Sequence, residues 1–122
     1  MQAANERRRR FRFGRFAEAL CTWHLRLRGY RILARRFRTP LGEIDIVARR
    51  GRLVAFIEVK ARRDLVQAAE SLSARQRRRI TRAAAMYMQK QPPLQGLDLR
   101  FDVMLVAPWR APRHVIDAWR EM

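Results

Sequence analysis

The chain has 122 residues, the length of one domain, and 48% of them are hydrophobic, which excludes a disordered chain. Lys and Arg number 28 against 11 Asp and Glu, so the formal net charge is +17. This excess excludes a metabolic enzyme with an ordinary, nearly neutral surface. It predicts a polyanionic partner. All the basic residues except Lys60 and Lys90 are arginines. Arginine binds phosphate through paired hydrogen bonds, so the bias favours nucleic acid, although a genome of high G+C content would produce the same bias.

Cysteine content and hydropathy predict the compartment. Cys21 is the single cysteine, so an intrachain disulfide is excluded and a reducing compartment is expected. The apolar runs are far too short to cross a bilayer, and no apolar stretch follows the basic start as it would in a signal peptide. We therefore expect a cytoplasmic protein without a membrane partner, and the sequence is compatible with a homodimer.

The first part of the chain predicts a basic arm followed by a helix. Residues 1–12 are rich in arginine and are expected to form a mobile arm, which leaves residues 13–122 as a single domain. Over residues 14–28, apolar side chains recur at helical spacing, and Gly29 ends the pattern. The expected apolar face consists of Phe16, Leu20, Trp23 and Leu27, widened by Ala17, Cys21 and Leu25.

Strands are predicted next. Residues 30–37 have the mixed alternation of a strand, and residues 39–42 form a turn. Residues 43–48 and 53–60 are predicted to pair as a hairpin, connected through residues 49–52. Both faces of residues 53–60 are mostly apolar, which is typical of a central strand that is covered on both sides.

The second half predicts one more helix and two strands. Residues 61–72 are ambiguous, whereas residues 73–89 have the pattern of a helix, which the prolines at 92–93 stop. Residues 99–107 form a strand and residues 115–116 a short last one. The order α-β-β-β-α-β-β predicts an α/β fold with a mixed sheet that is flanked by helices.

The hairpin brings acidic residues together. A four-residue loop at residues 50–53 would pair Arg49 with Val54 and would place Asp45 opposite Glu58. Two facing carboxylates repel each other, and a divalent cation with a preference for oxygen ligands, Mg²⁺ or Mn²⁺, resolves the repulsion. Lys60 lies on the same face, two residues after Glu58. A three-residue loop would move Asp45 off this face.

Two further residues could reach this cluster, and each residue also has a simpler interpretation. Glu18 lies at the margin of the apolar face of the first helix, and Gln76 lies on the apolar face of the second. Asp45 and Glu18 could instead face solvent, and Glu58 with Lys60 could form a surface ion pair. Gln76 could simply close a capping box with the serine at position 73.

A family resemblance brings these motifs together. The spacing Asp, then Glu-x-Lys, resembles the core of the restriction-endonuclease-like superfamily, written PD-(D/E)XK. Over most of the chain, the segments GRFAEAL, GYRILARRFR, GEIDIVA, FIEVKAR, SARQRRRI and RFDVMLV closely resemble the bacterial YraN-like family. That family is nuclease-like in fold and is similar to archaeal Holliday-junction resolvases. The resemblance therefore implies a restriction-endonuclease-like mixed β-sheet flanked by helices.

The resemblance also implies roles for the matching residues. Asp45, Glu58 and Glu18 would bind the metal, while Lys60 and Gln76 would complete the catalytic site. The chain departs from the family pattern at Arg36, where Asn is expected, and at Arg75, where Lys is common. The phosphate-binding residues are expected among the basic side chains of the arm, the segment after the third strand and the second helix, namely Arg7, Arg8, Arg9, Arg10, Arg62, Arg77, Arg78, Arg79 and Arg82.

Two functions remain open. The first is a metal-dependent endonuclease that hydrolyses DNA phosphodiesters, with branched DNA as one candidate substrate. The second is a nucleic-acid-binding protein or adaptor in DNA or RNA processing that keeps the nuclease-like fold without turnover. Zinc enzymes are excluded because His24 and His114 are the only histidines, and the five glycines form neither a P-loop nor a dinucleotide-binding loop.

Overall fold

A five-stranded mixed sheet with helices on both faces forms the fold, and its order confirms the predicted α-β-β-β-α-β-β class. The computed structural model describes residues 2–120, and their side chains from residue 13 onward. A short helix, α2, forms in the segment that was ambiguous from the sequence, and a 3₁₀ turn follows α3. The elements are α1 (Gln2–Leu27), β1 (Arg31–Thr39), β2 (Gly42–Arg50), β3 (Leu53–Ala61), α2 (Leu65–Glu70), α3 (Ala74–Gln89), the 3₁₀ turn (Pro92–Leu94), β4 (Asp98–Val106) and β5 (Arg113–Trp119).

The strands lie in the order β1-β2-β3-β4-β5. All neighbours are antiparallel except β3 and β4, which are parallel because α2 and α3 cross between them. β3 is therefore the central strand, and its residues are buried on both faces, as its continuous apolar pattern predicts.

Each face of the sheet has its own apolar core. On one face, α1 packs Cys21 and Leu25 against Ile57 of β3. On the other, α2 and α3 cover Val54 and Phe56 of the same strand. Within residues 2–120, no helix is both long enough and apolar enough to span a membrane.

The face of α1 that meets the sheet differs from the predicted one. The buried side chains are those of Ala17, Cys21 and Leu25, which the sequence placed only at the edge of the apolar face. Phe16, Trp23 and Leu27 are instead 63%, 61% and 85% exposed, and Leu20 is half-buried. Two of the three buried residues, Ala17 and Cys21, have small side chains, which let the helix backbone approach the strands closely.

The helix α1 also begins earlier than predicted, at Gln2 instead of residue 14. The side chains of residues 1–12 lie outside the described residues. The assignment of these residues to a separate arm therefore stays a prediction.

The position of α3 over the hairpin depends on Gly42, the first residue of β2. A Cβ atom at this position would lie 2.8 Å from the carbonyl oxygen of Arg79 in α3. The Ser73 hydroxyl accepts the backbone N–H of Gln76 at 3.1 Å and so fixes the first turn of α3. Together, the close approach and the cap place the side chain of Gln76 above the end of β3.

A buried ion-pair network fastens β5 to β4. The Asp102 carboxylate is fully buried and accepts two hydrogen bonds from Arg100, at 2.7 and 2.8 Å. It also contacts His114 Nε2 at 2.8 Å and accepts the backbone N–H of Asp117 at 3.0 Å. The register between the two strands shifts beside Asp102, and Asp117 adopts a φ of 55°. The network therefore holds an irregular piece of strand in place.

Candidate functional site

Asp45 and Glu58 meet where the ladder between β2 and β3 ends. The paired residues run from Arg50 opposite Leu53 to Ile46 opposite Ile57, which confirms the predicted pairing of Arg49 with Val54. One step further, the Asp45 side chain takes part in the backbone hydrogen bonding, because its Oδ2 accepts the N–H of Val59 at 2.8 Å. The two carboxyl groups interact directly with each other.

Lys60 is held between an acid and an amide. Its Nζ lies 3.5 Å from Glu58 Oε1 and donates a hydrogen bond to Gln76 Oε1 at 3.1 Å. The side chains of Lys60 and Glu58 are only 8% and 11% exposed, so the pair is not a surface ion pair. The Ser73 hydroxyl caps the backbone N–H of Gln76, which is one of the two hydrogen bonds of a capping box. The side-chain oxygen of Gln76 instead accepts the hydrogen bond from Lys60 of the sheet.

The environment opposes ionisation of both acids. Burial raises the pKa of Asp45, and the charge of Glu18 adds to that effect, although the bond from Val59 opposes it. Burial also raises the pKa of Glu58, and the charge of Asp45 adds to it, while Lys60 opposes it. A positive charge beside the two carboxyl groups would therefore favour their ionised forms.

The third predicted acid, Glu18, is buried on α1 and faces β1. Its Oε1 accepts a hydrogen bond from Arg36 Nε at 2.9 Å and lies 3.5 Å from Arg35 Nη2. Arg36 holds a φ of 52°, in the left-handed region. Among the residues whose side chains are described, no three His, Cys, Asp or Glu side chains lie in an arrangement that could hold a metal ion. The structure thus brings Asp45 and Glu58 together, and it pairs Glu18 with arginine.

A cleft of about 970 Å³ opens in front of Asp45 and Glu18. We call it the arginine cleft because five arginines line it, from α1, β1 and the segment after β3: Arg15, Arg36, Arg38, Arg62 and Arg63. Glu58, Lys60 and Gln76 do not line it. Of the two paired carboxyl groups, the cleft therefore exposes that of Asp45.

The predicted phosphate-binding residues of α3 lie away from the arginine cleft. Arg77, Arg78, Arg79 and Arg82 are exposed on α3, on the opposite side of the sheet from α1, and do not line the arginine cleft. Arg79 donates to the carbonyl of Leu41 at 3.2 Å. The side chains of the four arginines at positions 7–10 lie outside the described residues. Among the predicted residues whose side chains the structure describes, Arg62 is the one that lines the cleft.

Comparison with known proteins identifies the family. The model of "Uncharacterised protein family UPF0102" matches residues 17–106, which include both acids of the hairpin and Lys60. The chain belongs to the UPF0102 family. This is the family that the motifs indicated under the description YraN-like.

Relatives in the UPF0102 family cover nearly the whole chain. A UPF0102 protein of Parvibaculum lavamentivorans is 56% identical over 90% of this chain and 83% of its own length. One of Paramagnetospirillum magneticum is 54% identical over 89% of this chain and 88% of its own. One of Rhodopseudomonas palustris is 53% identical over 95% and 89%, respectively. The family assignment therefore extends well beyond the hairpin motif.

Sequence reasoning missed the partners of Glu18. The sequence distinguishes Arg36 only as a departure from the Asn that the family pattern has at this position. Asn adopts a positive φ more readily than other residues except Gly, so the expected Asn was itself a signal for the left-handed backbone now found at position 36. Arg63, which lines the arginine cleft beside Arg62, was missed because no spacing rule distinguishes it from other surface arginines.

Proposed function

We propose that the chain is a nucleic-acid-binding protein and a divalent-metal-dependent endonuclease that hydrolyses DNA phosphodiesters. The observation that supports this best is the cluster at the end of the hairpin, where Asp45 contacts Glu58 and Lys60 joins Glu58 to Gln76. Structural ion pairs seldom place two buried carboxyl groups against each other, because the arrangement is unfavourable without a cation. We also propose that the protein works in the reducing cytoplasm, which suits the buried, unpaired Cys21.

The donor set of the cluster fits Mg²⁺ or Mn²⁺. Asp45 and Glu58 would hold the ion, since both supply carboxylate oxygens and both have raised pKa values that a cation would lower. Glu18 would join them only by leaving Arg36. The bound ion would supply Lewis-acid stabilisation of the negative charge that develops on the phosphate.

The chain's own residues would supply binding, orientation and a proton-carrying group. The arginines of the cleft would hold the phosphate backbone without reading base sequence. Lys60 would orient the attacking water and neutralise charge on the phosphate through its Nζ. Gln76 would keep that Nζ fixed through the bond at 3.1 Å.

A second function is favoured by a specific observation. Glu18 is engaged by two arginines, and the described side chains include no three-acid group for a metal. A protein with these features could bind nucleic acid through the arginine cleft without cleaving it. Such an adaptor would keep the nuclease-like fold without hydrolysing phosphodiesters.

Metal-dependent melting together with plasmid nicking separates the two functions. Wild type should gain thermal stability with Mn²⁺, by about 2.7 kcal/mol at a hundredfold excess over Kd, and should nick supercoiled plasmid. Lys60→Ala should keep the metal-dependent shift and lose nicking by about 10²-fold or more. Asp45→Asn should lose both.

Glu70→Gln provides the matched control, because Glu70 is an exposed acid at the end of α2 and its loss changes the net charge equally. This variant should behave as wild type in both assays. If wild type shows neither a shift at millimolar Mn²⁺ nor nicking, while it still binds DNA, the enzyme proposal fails and the adaptor stands.

A further inference from the structure

A second groove, of about 510 Å³, adjoins the arginine cleft. Phe13 and Pro108 line both and therefore lie between them. We call it the aromatic groove, because Phe16 of α1 and Trp109 of the loop after β4 line it. Leu20 of α1 lines it as well. Where the arginine cleft is lined by charge, the aromatic groove is lined almost entirely by apolar side chains.

The aromatic residues of this groove are unusually exposed. Trp109 is fully exposed, and its backbone holds a φ of 64°, in the left-handed region that a tryptophan rarely adopts. Phe16 is 63% exposed on the outer face of α1. Packing within the domain does not explain such side chains, and large exposed apolar surface of this kind marks an interaction site.

The charges around the groove indicate which class of molecule would bind in it. Arg110 lines the groove itself, and the adjoining cleft has five arginines against three acids, Glu18, Glu43 and Asp45. A second copy of this chain would bring its own net charge of +17 to the contact, so the two copies would repel each other. The complementary occupant is a polyanion that also has flat apolar faces, which is the chemistry of nucleobases on a phosphate backbone.

We propose that the aromatic groove stacks unpaired bases of the nucleic acid whose backbone lies in the arginine cleft. Bases within a continuous duplex are already stacked on their neighbours, so only unpaired bases can lie against Phe16 and Trp109. The substrate class is therefore nucleic acid with a single-stranded segment beside the cleft, such as a fork or an overhang. The inference rests on the proposed nucleic-acid binding, but it does not require cleavage.

Equilibrium binding in buffer with EDTA tests the inference without any metal chemistry. The probes are a blunt DNA duplex, the same duplex with a short single-stranded extension, and the same extended duplex with abasic sites throughout the extension. All are fluorescently labelled. The abasic probe keeps the phosphates and lacks the bases, so it separates stacking from charge.

Trp109→Ala is the variant that should remove stacking, since an exposed side chain can be shortened without loss of packing. Wild type should prefer the base-bearing extension over the other two probes. Trp109→Ala should weaken binding to that probe by roughly 5- to 100-fold and leave binding to the abasic probe unchanged. Trp23→Ala is the matched control, because Trp23 is also an exposed tryptophan but lies outside the groove. It should bind all three probes as wild type does.

Several results would overturn the inference. Equal affinity of wild type for the base-bearing and abasic extensions would show that bases are not stacked. The same loss in Trp109→Ala on all three probes would give Trp109 another role. A wild-type dimer that Trp109→Ala turns into a monomer, with unchanged DNA affinity, would assign the groove to a contact between copies. If no probe binds at low salt, the proposed function fails as well.

Discussion

At the scale of single residues, Asp45 and Glu58 make the metal-free protein sensitive to pH. Burial and the charge of Glu18 raise the pKa of Asp45 to about 6, and burial and the charge of Asp45 raise that of Glu58 to about 8, from ordinary values of 3.8 and 4.5. A group whose pKa is raised by folding stabilises the folded state below its unfolded pKa, and that contribution is lost as the pH rises through the folded pKa. The free energy of unfolding should therefore fall as the pH rises from about 4 to about 8.

Asp45→Asn should remove the contribution of Asp45 to this pH dependence and reduce that of Glu58. The asparagine has an oxygen that can still accept the N–H of Val59, and its neutrality also lowers the pKa of Glu58. In EDTA, the variant should melt close to wild type at about pH 5 and at or above it at about pH 8. Thermal melts at both pH values, with Glu70→Gln as the exposed control, provide the measurement. Melting far below wild type at both pH values would make Asp45 a structural acceptor instead of a ligand.

The sequence revealed these residues because strand geometry is regular. A period of two and a short turn were enough to place Asp45 next to Glu58 and to put Lys60 on the same face. It could not reveal that Arg36 reaches Glu18, because this contact joins α1 to β1 through two long side chains. No periodic pattern encodes such a pair.

At the scale of elements, Asp102 should be essential for the attachment of β5. Burial alone would raise its pKa, but the bonds from His114, Arg100 and the Asp117 backbone hold the pKa below its ordinary value. Asp102→Asn removes the charge and leaves Arg100 without its counterion, so the free energy of unfolding should fall by about 3 kcal/mol. Urea denaturation measures this loss.

Arg120→Ala is the matched control for that prediction. Arg120 pairs with Asp117 at 2.8 Å, but its side chain is 81% exposed. Its removal should leave the urea midpoint close to that of wild type, because solvent screens an exposed ion pair. Equal effects of the two variants would mean that the buried network does not fasten β5.

Helices were harder to predict than strands, for a physical reason. In α1, the large residues Phe16, Trp23 and Leu27 defined the apparent apolar face, yet the sheet is met by Ala17 and Cys21. Hydrophobicity alone ranks large side chains first, whereas close packing of a helix on a sheet also rewards small ones. The six residues of α2 are too few to show a helical period, which left that segment ambiguous.

At the scale of the whole molecule, the net charge should dominate binding to nucleic acid. With about eight phosphates contacted, the logarithm of the association constant should fall with the logarithm of salt concentration at a slope of roughly −7. Affinity for duplex DNA would then drop about 10⁴-fold between 50 and 200 mM salt. Fluorescence anisotropy over a salt series measures the slope.

Removal of residues 1–12 should make that slope shallower by about 4, because five arginines leave with the segment. The domain should still fold, since Phe13, Ala17 and the later α1 side chains that pack against the sheet all remain. A flat salt dependence of the full chain would contradict the electrostatic basis of binding.

The parallel pairing of β3 with β4 has a consequence for synthesis on the ribosome. β3 leaves the exit tunnel well before β4, because α2 and α3 are made between them. During that interval, one edge of an apolar strand has no neighbour and could join the same edge of another nascent chain. Mutual repulsion between arginine-rich chains would oppose such joining. A fragment that ends after α3 should therefore stay dispersed in dilute buffer and aggregate when salt screens its charge. Light scattering measures this aggregation. Aggregation that is independent of salt would show that the charge does not prevent it.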